Sequence, residues 1–199
     1  MKVLKKSLLL FAFNSFQFQA HSFEPVVIEF NPMLMINQGL GLNLEIGLVK
    51  NISNGVSFEM YKQKVYSNNS INASRTIYSG SYFLRYYFFS EKIGGPFLSS
   101  KITMTQSEIN LSDYDLTVNS NINYCSGSVS VGYRFIWDSN LTVSAYVGGG
   151  IKNKTNYIDK NNLPLVKSAN PDWNNAIDEI NKQEGKYQPD FGITIGYVF

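Results

Sequence analysis

One stretch decides the fold, and it reads FGITIGYVF at residues 191–199. Successive side chains of a β-strand point to opposite faces, so every second residue of this stretch lies on the same face. One face carries Phe191, Ile193, Ile195, Tyr197 and Phe199, and the other carries Gly192, Thr194, Gly196 and Val198. A bulky apolar face that stops on an aromatic residue is typical of a strand that faces lipid and ends at the membrane–water boundary.

The same alternation recurs upstream and predicts seven more strands. Their approximate ranges are Val26–Ile36, Leu40–Val49, Val56–Tyr66, Ile77–Phe89, Phe97–Ile109, Asn123–Trp137 and Leu141–Tyr157, with the eighth at Asp190–Phe199. The connections after strands two, four and six are short, and those after strands three, five and seven are long. The expected fold is all-β, an eight-stranded antiparallel up-and-down transmembrane β-barrel, with the N-terminus and the C-terminus periplasmic.

Turns and loops are predicted from clusters of Asn, Ser and Gly. Tight turns are expected at residues 51–55, 91–96 and 138–140, and polar loops at residues 67–75 and 110–121. Pro32 interrupts the first strand. Because proline has no N–H to donate, a bulge or an early strand end is expected there.

Composition separates the classes of protein that this chain could belong to. Charged residues make up 16% and aromatic residues 15% of the chain, against roughly 25% charged residues in soluble domains. The mean hydropathy of −0.14 is too low for long apolar helices and suits strands with alternating faces. Without the three lysines of residues 1–22, the net charge falls from +2 to about −1, which gives no electrostatic reason to expect nucleic acid.

The first residues have the pattern of a secretory signal peptide. Three lysines precede an apolar run over residues 7–13, and Ala20 and Ser22 have the spacing of a cleavage site. The apolar run is shorter than the roughly 20 residues of a membrane-spanning helix. We therefore expect a signal peptide over residues 1–22 and a single outer-membrane β-barrel domain over residues 23–199.

Aromatic residues cluster at the two ends of the predicted strands. One set is expected at the periplasmic ends and comprises Phe88, Phe89, Phe97, Phe135, Trp137, Tyr197 and Phe199. The other set is expected at the outer ends and comprises Tyr66, Tyr78, Tyr124, Tyr157 and Tyr187. Two girdles separated by the length of a strand match the two interfaces of a membrane.

Four parts of the chain carry a resemblance to a known family: the segments LRYYFF (84–89), VGYRF (131–135) and VGGG (147–150), and the last strand. The mature chain resembles the small eight-stranded outer-membrane barrels of the outer membrane protein A and X type, in particular members of undefined role. The apolar face of residues 191–199 also resembles the assembly signal that the barrel-assembly machinery recognises. The resemblance implies an integral protein of the bacterial outer membrane, inserted by that machinery and in contact with outer-membrane lipid and lipopolysaccharide.

Alternation also predicts which side chains fill the barrel. The inward charges are expected to be Glu29, Glu45, Glu59 and Asp190 on one side and Arg85, Lys101, Arg134 and Lys152 on the other. Buried charges without partners cost several kcal/mol each, so we expect a charge network across the lumen. An eight-stranded barrel is only just wide enough to be filled by side chains, which favours a packed polar core. A narrow ion path between the two charged faces is the alternative.

Few residues are available for catalysis. Known lipid-modifying barrels use a histidine to take a proton from a nucleophile, and the one histidine, His21, lies in the predicted signal peptide. Cys125 is expected on the lipid-facing side, and no His/Cys cluster has metal-ligand spacing. No catalytic residue, metal or cofactor is predicted. The expected function is non-enzymatic, structural or in surface recognition and adhesion, with a narrow channel or a lipid-modifying enzyme as alternatives.

The connection over residues 158–189 is the candidate for a surface-ligand site. Long structureless loops are uncommon and tend to be functional or disordered. A short helix is predicted to begin at Pro171, with Trp173, Ile177 and Ile180 on one side. The helix either presents an exposed recognition element or packs over the barrel mouth. The second arrangement is favoured, because an exposed apolar stripe would be a liability.

Overall fold

The computed structural model describes residues 25–67, 71–89, 93–112, 117–153, 171–183 and 185–199. The predicted signal peptide and His21 lie outside these residues. Of the helices within the described ranges, none has the length and hydropathy needed to cross a membrane.

Eight strands form one closed antiparallel ring. In chain order the elements are β1 (Val26–Phe30), α1 (Met33–Ile36), β2 (Leu40–Val49), β3 (Ile52–Ser67), β4 (Asn72–Tyr87), β5 (Gly95–Ser112), β6 (Thr117–Ile136), β7 (Leu141–Lys152), α2 (Pro171–Gln183) and β8 (Tyr187–Val198). Each strand pairs with the next along the chain, and β8 pairs with β1. The predicted eight-stranded up-and-down barrel is confirmed. We call the end that holds Val26 and Val198 the lower end.

The ring is strongly staggered. The direct partner of Val27 on β8 is Val198. If the pairing is instead followed from Val27 through β2 and each later strand in turn, it reaches β8 at Gln188, which is ten residues away from Val198. Such a stagger tilts the strands and leaves an interior that side chains can fill. The seam between β1 and β8 is short, because it extends only to Phe30 while β8 continues upward to Tyr187.

Alternation along the strands separates an apolar outer wall from a small and polar inner wall. In β8, Phe191 is 59% exposed and Ile193 is 43% exposed, whereas Thr194 is completely buried. The other strands repeat this pattern in their lower and middle parts, with exposed outward residues that include Ile28, Leu42, Phe58, Leu84, Ile102, Val131 and Val147. Most large apolar side chains of these parts therefore point away from the barrel axis, with Phe83 and Phe97 among the inward exceptions.

The polarity reverses in the upper part of β3 to β6. In β5, Ile102 and Met104 point outward, but Ile109 and Leu111, further up the same strand, point inward and are completely buried. Glu108 occupies an outward position there. We call residues 61–67, 71–77, 106–112 and 117–124 the upper extension. Its outer surface is polar and its inner surface is mostly apolar, which is the arrangement of a sheet in water.

Helix α2 packs into the upper extension. Trp173, Ala176 and Ile177 are completely buried and form one cluster with the inward residues Ile71, Ala73, Ile109, Leu111, Ile122 and Tyr124. The helix predicted at Pro171 is confirmed. Of the two arrangements considered for it, packing over the barrel mouth is the one present. The side chain of Ile180 lies outside the described part of the chain.

The first and third predicted strands differ from the structure at their ends, whereas the second, Leu40–Val49, is confirmed. β1 stops at Phe30 and not at Ile36, so the early end expected from Pro32 occurs. The chain turns there into α1, and the side chain of Asn31 accepts a hydrogen bond from the N–H of Met33 at 3.0 Å. The turn predicted at residues 51–55 was also misplaced, since β3 already begins at Ile52.

The polar loops predicted at residues 67–75 and 110–121 are largely strand. β4 begins at Asn72, β5 continues to Ser112 and β6 begins at Thr117. The many Asn and Ser residues hid the alternation, because in the upper extension the polar residues face outward and the apolar residues between them face inward. Similarly, β7 ends at Lys152, short of the predicted end at Tyr157, which lies outside the described residues.

Two residues assigned to the aromatic girdles lie inside the barrel. Phe97 is buried beside Tyr87, and Tyr124 belongs to the cluster under α2. Both were assigned by their height along the strand, but their position in the alternation places them on the inner face. The side chains of Tyr66 and Tyr157 lie outside the described part. The remaining predicted girdle residues are exposed: Phe88, Phe89, Phe135, Trp137, Tyr197, Phe199, Tyr78 and Tyr187.

Candidate functional site

Two arginines and two glutamates form an ionic cluster in the lower lumen. Arg134 Nη2 lies 2.6 Å from Glu45 Oε2 and 3.0 Å from Glu29 Oε1. Arg85 Nη1 lies 2.6 Å from the same oxygen of Glu45 and 3.8 Å from Glu29 Oε2. All four residues are at most 5% exposed. They come from β1, β2, β4 and β6, so the cluster forms only when these strands share one ring.

Three hydroxyl groups add hydrogen bonds to this cluster. Tyr87 donates to Glu45 Oε1 at 2.8 Å and accepts from Arg134 Nη1 at 2.6 Å. Ser53 donates to Glu45 Oε1 at 2.5 Å, and Ser144 donates to the other glutamate at 2.7 Å. Buried ion pairs need such additional hydrogen bonds, because their mutual attraction alone does not offset the loss of hydration. The cluster is therefore a polar core whose groups bond mainly to one another.

An apolar layer fills the lumen below the ionic cluster. It comprises Val27, Tyr87, Ile93 and Phe97. The carbonyl oxygen of Ile93 accepts a hydrogen bond from Arg134 Nη1 at 3.1 Å. The ring centroid of Phe97 lies 4.8 Å from the guanidinium carbon of Arg85, within the range of a cation–π contact. The two arginines therefore contact this apolar layer as well as the carboxylates of the cluster.

Lys101 and Asp190 form a second ion pair higher in the lumen. Lys101 Nζ lies 2.6 Å from Asp190 Oδ1, and Ser128 donates to Asp190 Oδ2 at 2.8 Å. The Lys101 side chain is 20% exposed, so this pair keeps more contact with water than the lower cluster. A cavity of about 20 Å³ lies between the two ionic groups, lined by members of both and by Glu59. It has room for about one water molecule.

The structure brings six of the eight predicted lumen charges into these two groups. Glu59 lines the cavity and forms no ion pair with another described residue. Lys152 lies higher, with its Nζ 4.7 Å from the ring centroid of Tyr124. The acidic and basic sides therefore meet as a lower four-residue cluster and an upper pair, and Glu59 and Lys152 belong to neither group.

Several polar residues of the lumen were missed by sequence reasoning. Tyr87 follows Arg85 by two positions, so alternation places both on the inner face, and the same reasoning applies to Ser144 in β7. Arg75 is also buried, and its Nε donates to Ser107 at 2.5 Å. It was missed because it fell in a predicted loop.

The predicted assembly-signal residues form the outward face of the last strand. Phe191, Ile193, Tyr197 and Phe199 are exposed, and Ile195 is half-buried. The ring centroids of Tyr197 and Phe199 lie 5.0 Å apart. The recognition of this face by an assembly machinery stays a prediction.

Cys125 lies on the outer wall and is half-buried. Its backbone N–H donates to the side-chain oxygen of Asn153 at 2.9 Å. Over the described ranges, no group of three or more His, Cys, Asp or Glu side chains is placed to hold a metal ion. What the lumen offers chemically is charge pairing and hydrogen bonding.

Comparison with known proteins adds evidence on the fold. No protein-family profile and no curated protein matches the chain. Among solved structures, the chain is similar to the crystal structure of Ail, the attachment invasion locus protein of Yersinia pestis, with a TM-score of 0.52 and 8% sequence identity. The match covers 88% of this chain and 97% of that chain. The chain therefore has the closed, eight-stranded barrel fold of Ail.

Proposed function

We propose that this chain is an integral, non-enzymatic barrel of the bacterial outer membrane whose upper extension serves in surface recognition or adhesion. The observation that carries the proposal is the reversal of polarity along β3 to β6. Below the reversal the barrel is apolar outside and largely polar or charged inside. Above it the same strands are polar outside and largely apolar inside, with Arg75 and Ser107 as buried polar exceptions. A strand with both patterns needs apolar surroundings at one level and water at another.

The outer wall supports the membrane location. Exposed apolar residues occur on all eight strands, whereas apolar patches on soluble monomers rarely exceed a few hundred Å². Aromatic side chains surround the lower boundary, among them Phe88, Phe135, Trp137, Tyr197 and Phe199. Such a girdle suits a membrane–water interface, and the short connections at this end favour a periplasmic orientation.

The upper extension supports a role at the cell surface. It is built from paired strands, and its inner face is filled by α2, so its outer surface has a fixed shape. That surface is polar and includes Thr76, Glu108, Asn119 and Asn121. Among the described strands, none pairs with residues 117–124 of β6 on the β7 side. Such an edge is suited to pairing with an extended segment of another protein.

The name of Ail points to the first activity to test. Ail is an attachment invasion locus protein. Because one fold hosts many functions, the shared barrel alone does not assign attachment to this chain. Together with the fixed polar surface of the upper extension, it makes adhesion to host cells the most direct assay.

The packing of the lumen favours this role over a channel or a lipid-modifying enzyme. The hydroxyl, carboxylate and guanidinium groups of the lower cluster bond to one another, and Ile93 and Phe97 pack beneath them. An ion path needs continuous water, and the cavity above the cluster has room for about one water molecule. Catalysis needs an available nucleophile and base, and these groups are already engaged in pairs.

Cell fractionation and gel migration test the location. We expect the protein in the outer-membrane fraction. We also expect it to migrate differently on a denaturing gel before and after boiling, since a closed barrel keeps its strand pairing in detergent until heated. Release of the folded chain with the periplasmic contents would contradict the proposal.

An adhesion assay tests the surface role. A non-adherent bacterial strain that produces the chain is expected to bind cultured epithelial cells more than the empty strain does. Asn119→Arg with Asn121→Arg alters the outward face of the β6 edge and should lower binding several-fold. The matched control, Asp138→Arg with Ser139→Arg in the lower turn, should leave binding unchanged. Equal binding by both double variants at equal surface amounts would refute a role for the extension.

A further inference from the structure

We propose that the outer face of the upper extension binds an uncharged oligosaccharide chain. The site consists of three paired positions on β5 and β6, and each of its six side chains is an amide or a carboxylate. We call it the amide grid: Gln106 with Asn123, Glu108 with Asn121, and Asn110 with Asn119. This inference deepens the proposed surface-recognition function and rests on it, because it states the chemistry of the recognised partner.

The amide grid lies on the outer side of the sheet, directly above the apolar wall. Its β6 side chains are exposed and its β5 side chains are half-buried. The next outward positions below it are Met104 and Cys125, which pair with each other. Paired strands lie about 4.8 Å apart and every second residue follows after about 6.8 Å, so the grid is about 14 Å long. A chain of a few sugar rings covers that length.

The polar groups of the grid are available to a ligand. Gln106 Nε2 donates to Glu108 Oε1 at 3.4 Å, which is a long hydrogen bond. The other four side chains form no hydrogen bond or ion pair with any residue that the structure describes. The second carboxylate oxygen of Glu108 has no such partner within the same ranges either. The donors and acceptors of the grid therefore face solvent.

The asparagines of the grid depart from the local preferences of strands. Asn is depleted in β-strands, where β-branched and aromatic residues are preferred. Asn110, Asn119, Asn121 and Asn123 nevertheless occupy outward positions of paired strands, and the loop predicted at residues 110–121 arose from them. Positions that contradict local propensity are expected at functional sites. Threonine would keep the face soluble and suit a strand better, so the asparagines indicate a requirement for amides.

Amides and a carboxylate are complementary to sugar hydroxyl groups. A hydroxyl group both donates and accepts hydrogen bonds, and an amide offers two N–H donors and a carbonyl acceptor. Glu108 can accept from two neighbouring hydroxyls, and hydrogen bonds to a charged group are the stronger ones. Tyr78 pairs with Gln106 and is 40% exposed, so its ring offers a surface on which the apolar face of a sugar can stack.

The composition of the grid disfavours two other classes of ligand. Glu108 carries its one charge, which repels anionic chains such as sulfated polysaccharides. Lys62 of β3 lies two strands away from Glu108, with Thr76 of β4 between them, so it is not part of the grid. Protein interfaces depend on Trp, Tyr and Arg anchors, and the six side chains include none of these.

Many weak contacts are expected to act together. A single grid should bind weakly, because its exposed groups exchange hydrogen bonds with water for hydrogen bonds with sugar. Several copies of the protein on one surface engage neighbouring sugar chains at the same time, which multiplies the effective affinity. The measurement therefore uses clustered protein.

Retention of the folded protein on immobilised sugars tests the site. Protein in lipid nanodiscs, clustered on beads, is applied to surfaces that carry uncharged oligosaccharides of hexose and N-acetylhexosamine, and to surfaces that carry sulfated oligosaccharides. We expect retention on uncharged chains alone. Glu108→Gln should lower retention about fivefold, since it replaces charge-assisted hydrogen bonds by neutral ones. The matched control is Glu179→Gln on α2 at the same end, which should leave retention unchanged.

A second pair of variants tests the amides without changing charge. Asn110→Val removes an amide, suits a strand and should also lower retention several-fold. Asn54→Val makes the same change on the outer wall of β3 near the lower end and should not affect it. Because Glu108 and Asn110 lie on β5, their variants leave the edge of β6 unaltered. Unchanged migration differences before and after boiling establish that each variant is folded.

Four results would overturn the amide grid. Equal retention by the Glu108 and Glu179 variants would exclude the carboxylate, and equal retention by the Asn110 and Asn54 variants would exclude the amides. Retention on sulfated chains that Lys62→Gln abolishes would make the ligand an anionic polysaccharide. Retention on no uncharged chain would exclude the ligand class, and adhesion to epithelial cells would then still support the surface role. Normal retention on uncharged chains without adhesion would instead count against that role.

Discussion

Arg134 donates hydrogen bonds from all three of its guanidinium nitrogens. The recipients lie on different strands: Glu29, Glu45, Tyr87 and Ser144, with the carbonyl of Ile93 as a fifth. Alternation predicts that Arg134 and the two glutamates point inward. It does not predict which charges meet, because partner choice depends on the stagger of the ring and on side-chain rotamers.

Removal of the Arg134 charge is expected to destabilise the barrel strongly. Arg134→Met leaves Glu29 and Glu45 buried with less positive charge, which typically lowers the free energy of unfolding by about 3–5 kcal/mol. Urea unfolding in lipid vesicles, followed by tryptophan fluorescence, measures the loss.

Two comparison variants test this interpretation. Lys101→Met breaks the more exposed ion pair and should lower the free energy of unfolding by less. The double variant Glu45→Gln with Arg134→Met should lose less than the sum of its single variants. Equal losses for the two cation variants would show that burial does not set the strength of these pairs.

Among the strands, β1 and β8 form the joint that closes the ring. Their paired residues run from Val27 to Phe30 on β1, and Val26 exchanges two backbone hydrogen bonds with Phe199 below them. Within it, Gly196 faces the backbone of β1 so closely that an added Cβ would contact the carbonyl oxygen of Ile28 and the Cα of Glu29. Glycine is needed here for close approach of two backbones.

A side chain at Gly196 is expected to hinder closure of the barrel. Gly196→Val places its branched side chain against the β1 backbone, which cannot move aside without breaking the seam. The folded fraction, measured by gel migration without boiling, should fall sharply. Gly149→Val on the outward side of β7 has ordinary space around it and is the control. Full folding of both variants would mean that the seam tolerates a wider spacing.

The helix α2 was predictable in part. Helical spacing of Trp173 and Ile177 indicated its apolar side, and packing over the mouth was favoured over exposure. The surface that receives it was not predicted, because the upper extension was assigned to polar loops. Its inward residues, such as Ile71 and Leu111, alternate with polar ones that resemble loop sequence.

Loss of the α2 anchor is expected to free the helix and leave the barrel intact. In a Trp137→Phe background, Trp173 is the remaining tryptophan, and acrylamide should quench it poorly because it is 0% exposed. Ala176→Glu places a charge in the same cluster and should make Trp173 accessible to acrylamide. Asn175→Glu on the exposed side is the control. Strong quenching before any substitution would contradict the packing of α2.

At the scale of the whole molecule, the lumen is a stack of layers. An apolar layer lies lowest, followed by the four-residue ionic cluster, the Lys101–Asp190 pair and the cluster under α2. The number of strands and the facing of their lower and middle parts follow from alternation, because each strand must separate apolar from polar surroundings, and the strand order follows from the short and long connections. Alternation does not predict where β1 ends or how far the upper extension rises, because both depend on where neighbouring strands stop pairing.

The layered lumen is expected to block ion flow. The purified chain in planar bilayers should give no steady conductance, since the ionic cluster and the apolar layer below it fill the lower lumen. The Ala176→Glu variant, with α2 displaced, should also remain silent, because those layers lie below the helix. Steady single-channel steps from the unaltered protein would restore the narrow-channel alternative.

The ionic cluster straddles the joint between β1 and β8, since Glu29 of β1 bonds to Ser144 of β7 and Arg134 of β6. Until the ring closes, the charged side chains of the cluster stay hydrated. If only some of the strands came together and excluded water, at least one buried charge would have no partner, which is energetically costly. Dehydration of the lumen and pairing of the first strand with the last are therefore one cooperative step, and a partly closed barrel is not a stable intermediate.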